Sequence, residues 1–101
     1  MTGYTCLWEF LVDPKGEAQF VEHYGPEGTW VRLFKQAEGF IETRLLKDKD
    51  RPGRYVTIDR WLSLSAYEAF RERFAQAYAA LDRRCEDLTQ SETSLGAFHD
   101  L

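Results

Sequence analysis

Residues 54–74 read RYVTIDRWLSLSAYEAFRERF, and their reading decides the fold. Arg54 to Leu62 alternates with β-prone residues, which predicts a strand. Tyr55, Thr57, Asp59 and Trp61 fall on one side of it, and Val56, Ile58, Arg60 and Leu62 on the other. The strand breaks at Ser63 to Ser65. Ser65 with Glu68 three residues on is the pattern of a capping box, so a helix is predicted to start there. Its stripe is Tyr67, Phe70, Phe74, Tyr78, Leu81, Cys85 and Leu88, in steps of three or four, which predicts one continuous helix. Strand-end side chains facing a following helix are a common way to line a pocket.

Working back toward the N-terminus, the charged turn Asp48 to Gly53 carries Pro52-Gly53. Before it, Phe40 to Lys47 is a second strand, so the two form an antiparallel hairpin. Tyr4 to Val12 alternates as well, with Tyr4, Cys6, Trp8, Phe10 and Val12 on one face and Thr5, Leu7, Glu9 and Leu11 on the other. Both faces are largely apolar, which predicts a central strand. Asp13-Pro14 opens a helix, with proline at its first position. Gly25-Pro26 breaks that helix, and a second piece runs from about Gly28 to Gly39. Beyond the long helix, Glu92 to Phe98 reads as a last strand containing Gly96.

The order β-α-β-β-α-β predicts an α+β, ferredoxin-like domain over residues 1–101, with a four-stranded antiparallel sheet and both helical segments on one face. The other face is then open. The expectation is that Tyr4, Cys6, Trp8, Phe10, Val56, Ile58 and Leu62 lie on it. An apolar patch of that size predicts a homodimer that packs sheet on sheet.

The chain has 101 residues and a formal net charge of −4, which argues against a nucleic-acid partner. Lys47, Lys49, Arg51 and Arg54 are interrupted by Asp48 and Asp50, as in a solvated turn. No apolar run reaches the ~20 residues that a membrane span needs, and the first residues show no leader pattern, so a cytoplasmic protein is expected. Cys6 and Cys85 lack metal spacing and are expected as free, buried thiols. There is no glycine-rich phosphate loop, no nucleophile elbow and no metal-ligand spacing.

Several side chains are candidates for chemistry. Asp59 is a proton acceptor if burial raises its pKa, or a salt-bridge partner of Arg71 or Arg60. Trp61 either walls a pocket or fills the core, and Tyr67 either hydrogen-bonds a ligand carbonyl or packs. His23, near the Gly25-Pro26 bend, is a base at neutral pH or a surface residue. Glu9, Thr57 and Arg71 are candidate ligand contacts.

The stretches WEFLVDPKG, HYGPEGTW, GFIETRLLKD and RYVTIDRWLSLSAYEAFRERF together resemble the antibiotic biosynthesis monooxygenase family of dimeric α/β-barrel proteins. The family shows an acidic residue, a spacer and an aromatic at the end of the third strand, here Asp59, Arg60 and Trp61. The resemblance implies a homodimer and cofactor-free oxygenation of an aromatic or quinol-like small molecule. In such chemistry Trp61 and Tyr67 orient the ring, and Asp59 or His23 moves the proton. A second branch binds and degrades haem with a strand Asn, a strand-end Trp and a helix His. Trp61 matches the Trp, while Glu9 and Arg71 stand near the other two positions, so a haem ligand from that helix is not expected and haem degradation is the less favoured reading. No cofactor is expected. A non-catalytic dimeric module that binds small molecules or serves in stress is the alternative from another class.

Overall fold

The computed structural model describes residues 2–101. Strand β1 (Tyr4–Leu11) leads through a 3-10 turn (Pro14–Gly16) into α1 (Glu17–Tyr24) and α2 (Thr29–Phe34). Strands β2 (Phe40–Lys47) and β3 (Arg54–Trp61) form the hairpin. Helices α3 (Leu64–Arg73) and α4 (Ala75–Cys85) follow, and β4 (Ser91–His99) closes the sheet. The strand order is β2-β3-β1-β4, with every neighbouring pair antiparallel. This is the ferredoxin-like α+β arrangement that the element order requires.

Local chemistry sets most of the boundaries. The Asp13 carboxylate accepts the Lys15 amide at 3.0 Å, with Pro14 at the first helical position. In the hairpin turn Asp48 Oδ1 accepts the amides of Asp50 and Arg51 at 2.8 and 3.0 Å. Gly53 has φ +85°, and a Cβ there would collide with the Val12 carbonyl oxygen. That close approach lets the Val12 amide donate to the Gly53 carbonyl at 2.7 Å and ties the turn to the end of β1.

Three boundaries differ from the sequence reading. The cap of α3 is Ser63, whose hydroxyl accepts the Ala66 amide at 3.1 Å. Ser65 lies inside the first turn, because the chain leaves the strand immediately after Leu62. The long stripe from Tyr67 to Cys85 is two helices rather than one. The backbone leaves helical geometry at Phe74 (φ −107°, ψ 24°), which separates α3 from α4. Helix α2 ends at Phe34. Gly39, at φ +92°, instead shapes the entry to β2, where its carbonyl accepts the Leu62 amide at 2.7 Å.

The largest correction concerns which face of β1 is covered. Tyr4 pairs with Trp61, Cys6 with Asp59, Trp8 with Thr57 and Phe10 with Tyr55. Directly paired residues point the same way, so these eight share one face. That face meets the helices. Phe10, Tyr55 and Trp61 are buried against Phe20, Tyr24, Trp30, Phe34, Phe70 and Leu81, and Cys6 is buried as well. Leu7, Leu11, Val56 and Ile58 therefore lie on the open face, and Tyr4, Cys6, Trp8 and Phe10 do not. The aromatic members of β1 go inward because only the helical side offers enough ring surface to pack on. Phe10, for example, meets Phe20 at 5.5 Å and Tyr24 at 4.8 Å between centroids. Cys6 and Cys85 are both free and buried.

Candidate functional site

The helix-covered face encloses an aromatic cleft. Its floor is sheet: Trp8 and Phe10 from β1, Thr43 from β2, and Thr57 and Asp59 from β3. Its walls are Tyr24, Trp30 and Phe34 from the first helical pair and Tyr78 from α4. Asp82 of α4 and Glu92 of β4 complete it from exposed positions. The cavity volume is about 70 Å³, room for a few waters or one edge of a ring, and the cleft continues open to solvent.

Period-two geometry places Asp59 and Thr57 together, because residues i and i+2 of a strand share a face. Thr43 arrives opposite Asp59 through the β2–β3 register. Its hydroxyl donates to Asp59 Oδ1 at 2.7 Å, and no arginine or lysine pairs with Asp59 among the described residues. The expected ion pair with Arg71 or Arg60 is not formed. Arg60 turns to the open face, 3.4 Å from Glu42 and 3.8 Å from Asp100. Burial without a cationic partner pushes the Asp59 carboxyl up to about 6, and the Thr43 hydrogen bond moderates the rise. The Asp59 charge also acts on its cross-strand neighbour: burial first, then that carboxylate, raise the Cys6 thiol to about 11. Burial likewise raises Tyr78 to about 12, against the pull of Arg71.

The other sequence candidates lie elsewhere. Trp61, 1% exposed, stands one ring behind the cleft wall, edge-on to Phe34 at 5.6 Å. Tyr67 meets Trp61 edge-on at 5.4 Å and accepts a hydrogen bond from Arg71 Nη1 at 3.1 Å. Arg71 in turn lies over the Tyr78 ring, 3.9 Å from its centroid. Trp61, Tyr67 and Arg71 thus form one cluster that supports the cleft through Phe34 and Tyr78. Glu9 is on the open face of the sheet, 2.7 Å from Arg54 Nε, as the alternation of β1 dictates once Trp8 is inward. His23 sits at the helix bend, its Nδ1 3.0 Å from the Thr29 hydroxyl, and does not line the cleft.

Of the sequence candidates the cleft brings together Asp59 and Thr57. Sequence reasoning missed Thr43, Trp8, Tyr24, Tyr78, Asp82 and Glu92. Thr43 could have been found by registering the hairpin across its six-residue turn. Tyr24 and Glu92 are 68 residues apart and meet only in the fold, where the Tyr24 hydroxyl donates to Glu92 Oε1 at 3.2 Å. Among the described residues no three His, Cys, Asp or Glu side chains converge to hold a metal ion, and no helix is long and apolar enough to cross a membrane.

The pattern of the antibiotic biosynthesis monooxygenase family matches residues 4–80. Among solved structures the fold is similar to that of SnoaB, a cofactor-independent oxygenase from Streptomyces nogalater. The identity is 22% and the TM-score 0.68, covering 100% of this chain and 95% of that one. It is also similar to PA3566 from Pseudomonas aeruginosa, at 18% identity and TM-score 0.67, covering 100% and 96%. NE2512 from Nitrosomonas europaea, a protein of unknown function, gives 18% identity and TM-score 0.71, covering 100% and 91%. At these identities the likeness is one of fold. No curated protein matches the chain.

Proposed function

The chain belongs to the antibiotic biosynthesis monooxygenase family, and on that premise we propose that residues 1–101 act as one cofactor-independent monooxygenase domain on an aromatic or quinol-like small molecule. The observation that carries this is Asp59: a carboxylate at the floor of an aromatic cleft, without a cation beside it, held at about 6. Such a group is poised to take a proton from a phenol or an activated ring carbon near neutral pH. The electron-rich anion then reduces oxygen directly. For a phenol the balance is one C–H carbon and one O₂ giving one quinone carbonyl and one water. The hydroxyl proton and the ring proton leave with the second oxygen atom. The walls orient the ring and keep water from the anion, while Thr43 positions the base. This differs from the residue-level expectation. Asp59 keeps the proton-transfer role proposed for it and Thr57 the ligand contact. Trp61, Tyr67 and Arg71 support the wall, and His23 and Glu9 have no part.

The test is an oxygen electrode with anthrone and 1-naphthol. The expected result is one O₂ consumed per quinone formed, with turnover reduced ~100-fold or more in Asp59→Asn. Saturable binding with no oxygen uptake overturns the reading in favour of a non-catalytic binding module. That second reading draws support from one observation, that Trp61 and Tyr67 stand behind the cleft wall instead of in it.

A second copy of the chain is part of the proposal. The open face carries Leu7, Leu11, Val56 and Ile58, with Leu46 and Phe98 at 42% and 49% exposure. Sheet-to-sheet pairing across a two-fold axis would cover them.

A further inference from the structure

The charge of the cleft lining is one-sided. Asp59, Asp82 and Glu92 contribute carboxylates, and no lysine, arginine or histidine lines it. The Arg71 guanidinium lies over the Tyr78 ring and is engaged by Tyr67, so it offsets Asp82 in part and leaves an acidic excess. The remaining lining is mostly aromatic, with Trp8, Phe10, Tyr24, Trp30, Phe34 and Tyr78. Rings together with carboxylates are the two features that attract an organic cation. A separate observation points to a ligand at the same place. Thr57, 4% exposed, lines the cleft floor, and its hydroxyl has no hydrogen-bond partner among the described residues. The indole Nε1 of Trp30 in the cleft wall is also without a partner among the described residues, and it is buried.

We propose that the cleft selects an aromatic ligand that carries a protonated amine. The ring lies among Trp8, Trp30 and Tyr78, its hydroxyl is aimed at Thr57 and Asp59, and its ammonium lies toward Asp82 and Glu92. The corresponding acid is disfavoured, because its carboxylate would face the like charges of Asp82 and Glu92. This rests on the cleft being the ligand site of the proposed oxygenase and adds the charge class of its substrate.

The test uses three ligands of one size: 2-naphthol, its 6-aminomethyl derivative and 6-hydroxy-2-naphthoate. They are titrated calorimetrically into the whole protein at pH 7.5 in 20 mM and 300 mM salt. The expected result is amine tighter than naphthol by about tenfold and naphthoate weaker by about tenfold, with the spread shrinking at high salt. The double variant Asp82→Asn, Glu92→Gln, altered only at exposed positions, is expected to bring the three affinities within about threefold. Equal affinities in the native protein, tighter naphthoate, an unchanged spread in the double variant, or no detectable binding of any of the three overturns the proposal. Oxygen uptake is read on the same samples. Amine preference without uptake removes the oxygenase reading and keeps the selectivity. Uptake without amine preference does the reverse.

Discussion

At Asp59 burial and function pull against stability. Its folded-state pKa of about 6 is above its ordinary value. The folded protein therefore holds that proton more tightly than the unfolded chain. The resulting stability is present below pH ~4 and is lost as pH rises through 6, to a limit of about 3 kcal/mol at pH 8. Asp59→Asn keeps the shape and removes the charge. It is expected to raise the melting temperature at pH 8, to leave it unchanged at pH 4, and to abolish turnover; scanning calorimetry at the two pH values checks this. Turnover of the native protein is expected to rise with pH through a limb near 6, because the base must be ionised. Thr43→Val removes the one hydrogen bond that favours the ionised form, so the limb is expected to move to higher pH in a kcat/KM profile. Trp61 belongs to packing. Fully buried between Phe34, Phe40, Tyr67 and Phe70, it is expected to cost about 3–5 kcal/mol when truncated to Ala, measured by urea unfolding.

Among the elements, the entry to α3 shows how a local pattern misleads. Ser63 and Ser65 both precede helix-forming sequence, and Ser65 has the glutamate three residues on. The strand decides between them. Trp61 must reach the core as the last residue of β3, which leaves Ser63 extended at φ −164°, ψ 165°, the conformation a cap requires. Ser63→Ala is expected to destabilise by about 1 kcal/mol and Ser65→Ala by a few tenths at most, which chemical denaturation of the two variants would resolve. The Phe74 break has a similar origin. Its stripe keeps helical spacing through the break, so periodicity alone shows no interruption.

The whole molecule is a slab of 40 × 31 × 20 Å with helices on one side only. Its accessible surface is 6532 Å², where a monomer of this mass averages about 5,900 Å². The excess is of the order of one partner's share of a standard interface, about 800 Å². A dimer is the expected solution state, and light scattering of the native protein measures it directly. Ile58→Glu, in the middle strand pair of that face and away from the cleft, is expected to give monomers that still bind a cleft ligand. A native protein that scatters as a monomer at 100 μM would overturn the dimer.

The sequence by itself determined the order of elements, the hairpin and its turn, the helix breaks at Gly25-Pro26 and after the third strand, and the family. Each of these rests on neighbours a few residues apart: alternation, caps, prolines and glycines. It also placed Asp59 and Thr57 on one face, because a strand puts i and i+2 on the same side. Only the tertiary structure decided which face of β1 turns inward. Both faces alternate apolar residues, so local pattern gives no preference, and the choice falls to the aromatic packing that α1 and α2 supply. That one choice carried Trp8 and Phe10 into the cleft and Glu9 out of it. The pKa of Asp59 was fixed at the same level, since what raises it is burial of a group whose neighbours, Thr43 and Cys6, come from two other strands.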